Sequence, residues 1–356
     1  MKAMLMLEDG KIFQGESQGV EGERIGEVVF NTAVVGYQEM LTDPCNAGKI
    51  LILTYPLIGN YGIAPKFNES EKCWVSGLVI KNKPGIYSNW QAKSSLDSFA
   101  REQDLIILSQ IDTRTLTVHI RQKSEMLGII STNTCRPAEL LSKIKVYKEG
   151  GKGRDFIQSI SVKKPLLVGR PRGKRIAVLD LGVTNSILGQ LQMLGFSVQI
   201  FPYNYTAQDI LKSKASGLIV SNGPENDLSF KEITDNLKGL IGKIPVLGIG
   251  TGHQALAYSL GAKINRMKVG HHGVNYPLYN PGFYKGEITS QNHSYVVDMD
   301  SLNKVRHIQI TEFNLNDRSV EQMESKKLKL MGVQYLLPSP GCNEVNGILK
   351  KFTKNL

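Results

Sequence analysis

The sequence predicts an α+β domain followed by an α/β domain with a mainly parallel central sheet, and three observations carry that prediction. The chain has 356 residues, which is long for one domain and suits two. Its two halves differ in texture: short β-type runs dominate before about residue 147, and strands alternate with helical segments after Arg175. Between them lies a glycine-rich basic stretch, where residues 148–175 hold nine Lys/Arg against only Glu149 and Asp155. That stretch has no amphipathic period and reads as a solvated connection. The expected domains are therefore 1–147 and 175–356, joined by a linker over 148–174.

In the first half, runs suited to strands are Ala3–Leu7, Glu27–Asn31, Ile50–Leu53, Trp74–Ile80 and Ile129–Ser131, with turns such as Glu8-Asp9-Gly10 between them. A helix is expected over Ser95–Glu102, entered through Ser94 or Ser95, and another from Asp112 to about Gln122. In the second half, apolar runs are Arg175–Asp180, Ser197–Phe201, Gly217–Ser221 and Ile244–Ile249. Helices are expected over Asn185–Leu194, near Ala207–Lys212 and around Ser229–Leu240. Continuous apolar strands alternating with helices indicate a parallel sheet covered on both faces. Ligands bind such sheets at the C-terminal strand ends. Here those ends are Asp180-Leu181-Gly182, Ser221-Asn222-Gly223-Pro224 and Gly248–His253.

Composition narrows the function classes. Hydrophobic residues at 41% and charged residues at 21% suit an ordinary globular protein. No apolar run is long enough to span a bilayer, and Met1–Asp9 meets a charged pair too early for a secretory signal. Cys45, Cys73, Cys135 and Cys342 form no CxxC pair, which excludes zinc ribbons and disulfide scaffolds and suggests a reduced, cytoplasmic setting. The net charge of +11 is concentrated in the basic stretch, whose sole aromatic is Phe156. It therefore lacks the stacking residues of a nucleic-acid site. Neither nucleic acid nor membrane is an expected partner.

Chemistry is expected at Pro245–Ala257, a buried strand, a tight glycine turn and a helix. This is the architecture that lifts a nucleophile over a sheet, with the N–H groups of the following helix start aimed at an oxyanion. Gly248-Ile249-Gly250-Thr251-Gly252-His253-Gln254 resembles the elbow of class I glutamine amidotransferases. Further stretches are similar to the small subunit of carbamoyl-phosphate synthase. In the first half these are Leu7–Gly10, Gly26–Gln38, Leu41–Pro44, Leu53–Pro56, Ile58–Gly62, Ser88–Trp90, Ile111–Arg114 and Leu127–Ile130. In the second half they are Ser221–Pro224, Gly270–Gly273, Ser290–His293 and Ser339–Gly341. The resemblance runs almost end to end, and its first-half motifs are not shared with other amidotransferases.

The resemblance implies glutamine hydrolysis by a cysteine thiolate, a histidine that moves protons and a glutamate that orients the histidine. Ammonia would pass to a large subunit, which would carry the ATP and Mg; this chain is expected to hold no cofactor. The family's residues are missing here. Its nucleophile position is Gly250, its histidine position Leu336 and its glutamate position Pro338, in a segment one residue short. Glutamine-site positions implied by the resemblance are Cys45, Gly223, Glu225, Thr251, Gln254, Asn292, Ser294 and Tyr295. Of these, Gln254 and Asn292 keep the family's side chains, and Glu225 stands where the family has glycine.

Rescue by another residue is not expected. Thr251 is one position off the apex and lacks a base, Cys45 needs a base or cation to become a thiolate, and His253 reads as a structural, hydrogen-bonded histidine. Nor is a metal expected, because His271 and His272 are adjacent in an extended chain and point to opposite faces. His119 reads as helix surface and His307 as strand. There is no P-loop. Two roles remain: an accessory subunit of a synthase that uses free ammonia, or a non-catalytic regulatory paralogue sensing a small molecule in the remodelled cleft. Core patterns on both sides of the elbow are intact, which favours a maintained, folded protein.

Overall fold

The computed structural model describes residues 2–133, 136–150, 155–169, 173–282, 286–337 and 344–356. Pro338 and the Ser339–Gly341 motif lie outside them, as do Cys135 and Cys342. The chain divides into two compact units, one of Met1–Arg154 with Lys268–His272, the other of Asp155–Met267 with Gly273–Leu356.

The first unit is built on a closed barrel. Its strands are β1 (Lys2–Leu7), β2 (Ile12–Gly19), β3 (Glu23–Asn31), β4 (Lys49–Leu53), β5 (Gly77–Val79), β6 (Ile106–Ser109) and β7 (Met126–Ser131), in the order β1-β2-β6-β5-β4-β3-β7. Alternate residues go to opposite faces, as the two-residue strand period requires. Leu5, Leu7, Val28, Phe30, Ile50, Ile52, Ile106 and Leu108 join one apolar cluster, and Val29, Leu51, Leu53, Leu78 and Ile107 another. Helices α1 (Tyr37–Thr42), α2 (Leu96–Glu102), α3 (Thr113–Lys123) and α4 (Pro137–Glu149) pack around these strands. Ser95 and Asp112 cap α2 and α3, their side chains accepting from Ser98 N and Thr115 N. His119 lies on α3 and meets Asp9 Oδ2 at 2.6 Å. Of the run at Trp74–Ile80, the regular strand is β5, with Ser76 N and Ile80 N extending its hydrogen bonds to Lys49 O and Leu108 O.

In the second unit come α5 (Phe156–Ile160), β8 (Leu166–Val168), β9 (Arg175–Asp180), α6 (Asn185–Met193), β10 (Ser197–Pro202), α7 (Ala207–Lys212), β11 (Gly217–Val220), α8 (Phe230–Lys238), β12 (Val246–Ile249) and α9 (Thr251–Ser259). They are followed by β13 (Ile264–Tyr279), β14 (Glu287–Val297), α10 (Met299–Leu302), β15 (Gln309–Asn314), β16 (Val320–Ser325), β17 (Leu330–Val333) and α11 (Gly347–Lys354). The sheet order is β14-β13-β15-β16-β17-β12-β11-β9-β10-β8. From β10 through β9, β11 and β12 to β17 every pairing is parallel; the flanking pairs β10–β8, β17–β16, β16–β15 and β15–β13 are antiparallel. Ala177, Leu179, Leu218, Val220 and Val246 pack with α7, α8 and α9 on one face. Ile176, Val178, Ile219, Leu247 and Ile249 pack with α6 and α11 on the other.

Two expectations need correction. The basic stretch is not a bare linker, because it contains the end of α4, all of α5 and the edge strand β8. Buried carboxylates from outside the stretch fasten it: Asp227 Oδ2 accepts from Ile157 N at 3.0 Å and Asp180 Oδ2 from Val162 N at 2.9 Å. His307 is not in a strand; it sits in a turn before β15 with φ 69°, a left-handed conformation that ends extended pairing.

Candidate functional site

The strand β12, the turn at Gly250 and the helix α9 form the expected elbow. Gly250 has φ 54° and ψ −112°, a region that only glycine enters without steric cost. Its N–H donates to Val333 O at 2.8 Å, and its carbonyl accepts from Gln254 N at 3.1 Å. The apex therefore keeps a conformation that would be strained for any other residue. The helix start is pressed tightly against the sheet: a Cβ on Gly252 would lie 2.1 Å from Val220 O.

Asn222, which is not among the glutamine-site positions that the resemblance implies, fills the apex. A Cβ on Gly250 would lie 2.1 Å from Asn222 Oδ1 and 2.7 Å from its Cγ. The same Oδ1 accepts from Thr251 N at 3.2 Å. That N–H is the one expected to face an oxyanion, so a resident amide carbonyl already takes it. Thr251 turns its hydroxyl away and donates to Gly223 O at 2.6 Å. Asn222 is buried at the end of β11. Its position in the Ser221–Pro224 motif was visible, but its contact with an empty apex was not.

Farther along the cleft, Glu225 is bound inward. Its Oε1 accepts from Gln254 Nε2 at 2.7 Å and from Tyr295 N at 3.2 Å, and its Oε2 accepts from Ser294 N at 2.7 Å. Gln254 Nε2 also reaches Tyr295 O at 3.0 Å and Gln334 Oε1 at 3.3 Å. The structure thus brings together Gly223, Glu225, Gly250, Thr251, Gln254, Ser294 and Tyr295, and adds Asn222 and Gln334. Asn292 lies on β14 with Ser294 and Tyr295. Cys45 belongs to the first unit, where it is buried in a tight turn and donates its N–H to Asp43 Oδ1 at 2.9 Å.

The atoms nearest a Cβ on Gly250 all belong to the Asn222 amide, which is no base. Leu336 donates its N–H to Ser290 O at 2.9 Å and lines a cavity of about 670 Å³ with Glu287, Glu312 and Tyr335. His253 is fully buried, and burial lowers its imidazole to about 4. Among the described residues its ring nitrogens reach no side chain, and the contact that the ring makes is with the Gly332 backbone. Close packing also holds the ring against Gly332, where a Cβ would lie 2.6 Å from Nδ1. His272 Nε2 lies 2.9 Å from Glu125 Oε1, both buried within the first unit. Burial pushes the Cys73 thiol up to about 12, which disfavours its thiolate.

Known families match both halves. Residues 5–130 match the carbamoyl-phosphate synthase small chain, CPSase domain, and residues 177–335 match glutamine amidotransferase class-I. The chain is 38% identical to the carbamoyl phosphate synthase small chain of Chlorobaculum tepidum, over 99% of this chain and 97% of that one. It is 37% identical to the carbamoyl phosphate synthase pyrimidine-specific small chain of Bacillus subtilis, over 99% and 95%. Among solved structures, a glutamine amidotransferase from Thermotoga maritima aligns with 52% of this chain and 82% of its own, at 17% identity and a TM-score of 0.36.

Proposed function

The chain belongs to the carbamoyl phosphate synthase small-chain family, and on that premise we propose that it is a subunit that docks on a large chain without hydrolysing glutamine. The observation that carries this reading is the filled apex. Gly250 offers no atom to attack an amide, and Asn222 takes both the space of a nucleophile's Cβ and the N–H that would stabilise an oxyanion. Loss of a nucleophile in comparable hydrolases costs on the order of 10⁶ in turnover. The family's histidine and glutamate positions hold Leu336 and Pro338 by sequence, so base and orienter are missing as well. The synthase would then work from free ammonia, with ATP and Mg held by the large chain.

Docking is supported by apolar side chains that the first unit leaves in water. Ile86 and Trp90 are 85% and 88% exposed, and Val34 and Val35 are 55% and 57% exposed. Residues 59–62 tie these two loops together. Tyr61 Oη accepts from Gly36 N at 2.8 Å and Tyr37 N at 3.1 Å, and Asn60 O accepts from Ser88 N at 3.0 Å. Exposed aromatic and aliphatic anchors on fixed loops are what an interface core uses. The sensor reading is weaker, since Glu225 in the remodelled cleft is engaged by the chain's own donors, Ser294 N among them. The test is co-purification with the large chain of the same organism. The wild type should form a complex at micromolar concentration, and Trp90→Ser with Ile86→Ser should weaken it at least tenfold. Absence of any wild-type complex would refute the docking role.

A further inference from the structure

We infer that the end of the second unit's sheet where its parallel strands begin is a docking surface for an acidic, extended segment of a partner protein. The surface lies wholly in that unit and does not depend on what the cleft does. Three loops meet there: residues 241–245 before β12, 303–308 before β15 and 326–329 before β17. Strand pairing sets them side by side. Val246 N donates to Lys329 O at 2.9 Å, and β16 links the other two loops through Gln309↔Glu324 and Ser325↔Leu330. The loops hold Lys243, Lys304, Arg306, Lys326, Lys327 and Lys329, all exposed, and no Asp or Glu. Neighbouring strands lie about 4.8 Å apart, so cations on adjacent loops stand within a screening length of one another.

The charge is not balanced by the chain itself. Among the described residues none of the six makes an ion pair, whereas Lys212, Lys238 and Lys351 on helices of the same unit pair with Asp209, Asp235 and Glu324. Asp298 and Asp300 share a cavity with Lys304 and Arg306, which leaves the lysines of the other two loops unmatched. Lys327 Nζ instead donates to His307 Nε2 at 3.0 Å, since an ammonium has no lone pair to accept with. Lys329 gives a separate sign. Its φ of 50° is a left-handed conformation that suits glycine or asparagine, yet the turn carries a cation there. The turn is fixed, with Leu328 N donating to Ser325 Oγ at 3.1 Å and Lys329 N to Lys326 O at 3.3 Å. Unmatched charge on a fixed turn steers and orients a partner of opposite sign. The chemistry selects the partner. These loops have no Phe, Tyr or Trp on which bases would stack, and Lys prevails over the Arg that grips phosphate with paired bonds. No large apolar side chain is exposed in them to enter a bilayer, and stable membrane anchoring needs a second signal besides charge. Point charges on long stems suit carboxylates spaced along an extended chain.

The experiment is titration of a fluorescent peptide of alternating Glu and Ser with the full chain, followed by anisotropy. Wild type should bind it at about 0.01 M salt and much more weakly at about 0.15 M, where the screening length has dropped from ~30 to ~8 Å. The triple variant Lys326→Gln, Lys327→Gln, Lys329→Gln should weaken low-salt binding by about tenfold or more. Lys304→Gln with Arg306→Gln, in a separate loop, should weaken it too. The control Lys2→Gln, Lys123→Gln, Lys145→Gln removes the same charge from exposed lysines of the first unit and should bind as wild type does. Equal loss in both triple variants would show that net charge alone is read, and would overturn the inference. So would the absence of peptide binding by wild type at low salt. Tighter binding of a single-stranded oligoribonucleotide of equal charge, or of phosphatidylserine vesicles, would assign the surface to another polyanion and overturn it as well.

Discussion

At Gly250 two side chains that would compete for one space are reduced to one. The backbone holds φ 54° and ψ −112°, and Asn222 Oδ1 lies 2.1 Å from where a Cβ would be. Gly250→Cys must therefore adopt strained backbone, at about 1–3 kcal/mol, and displace the Asn222 amide from Thr251 N. Urea unfolding should show a loss of at least that size. Adding Asn222→Ala should return part of it, because the contact is relieved, and neither protein should gain glutaminase activity. Equal stability of Gly250→Cys and wild type would show that the apex is not filled as described. His253 makes a separate prediction. Its imidazole titrates near 4 when folded and near ~6.5 when unfolded. Between these values the unfolded chain binds the extra proton, so stability falls as pH drops through that window, by about 3 kcal/mol in total. His253→Gln should flatten the stability–pH curve between about pH 4 and 6.5, measured by urea unfolding at each pH.

At the scale of elements, local pattern was enough wherever one face of a strand or helix was buried by near neighbours. The run Arg175–Asp180 is observed as read, and Ser95 and Asp112 start their helices as their side chains suggest. The elbow was equally legible, since its glycines and flanking apolar residues are contiguous. What escaped depends on distant partners. Strands β2 and β6 close the barrel by pairing with each other from Glu16↔Ser109 to Gly19↔Ile106, across some ninety residues. Helix α5 buries only Ile157 and is fixed by Asp227, 70 residues on. The inward turn of Glu225 likewise needs strand β14, which sequence alone does not bring beside it. Asp227→Ala should free Ile157 N and Ser229 N from their acceptor, costing about 1–3 kcal/mol. Limited proteolysis should then cut near residues 155–162 earlier than in wild type. Unchanged resistance would show that α5 is held by other means.

For the whole molecule, the sequence matches its family over 99% of the chain, and the proposed loss of hydrolysis rests on the cleft alone. Apolar alternation persists through both cores, and no helix among the described residues is long and apolar enough to cross a membrane. The features that argue for that proposal gather at the strand ends: glycine at the apex, the Asn222 amide on Thr251 N and the Glu225 carboxylate on Ser294 N. A catalytic site can be lost without loss of fold because its residues add little to core burial, and some are held under strain that the fold is better without. The most direct measurement is glutamate release from glutamine, alongside carbamoyl phosphate formation, by the chain assembled with the large chain of its own organism. Ammonia should support synthesis while glutamine yields neither glutamate nor carbamoyl phosphate above the large chain alone. Glutamate release within tenfold of a relative that has cysteine at the apex would contradict the account.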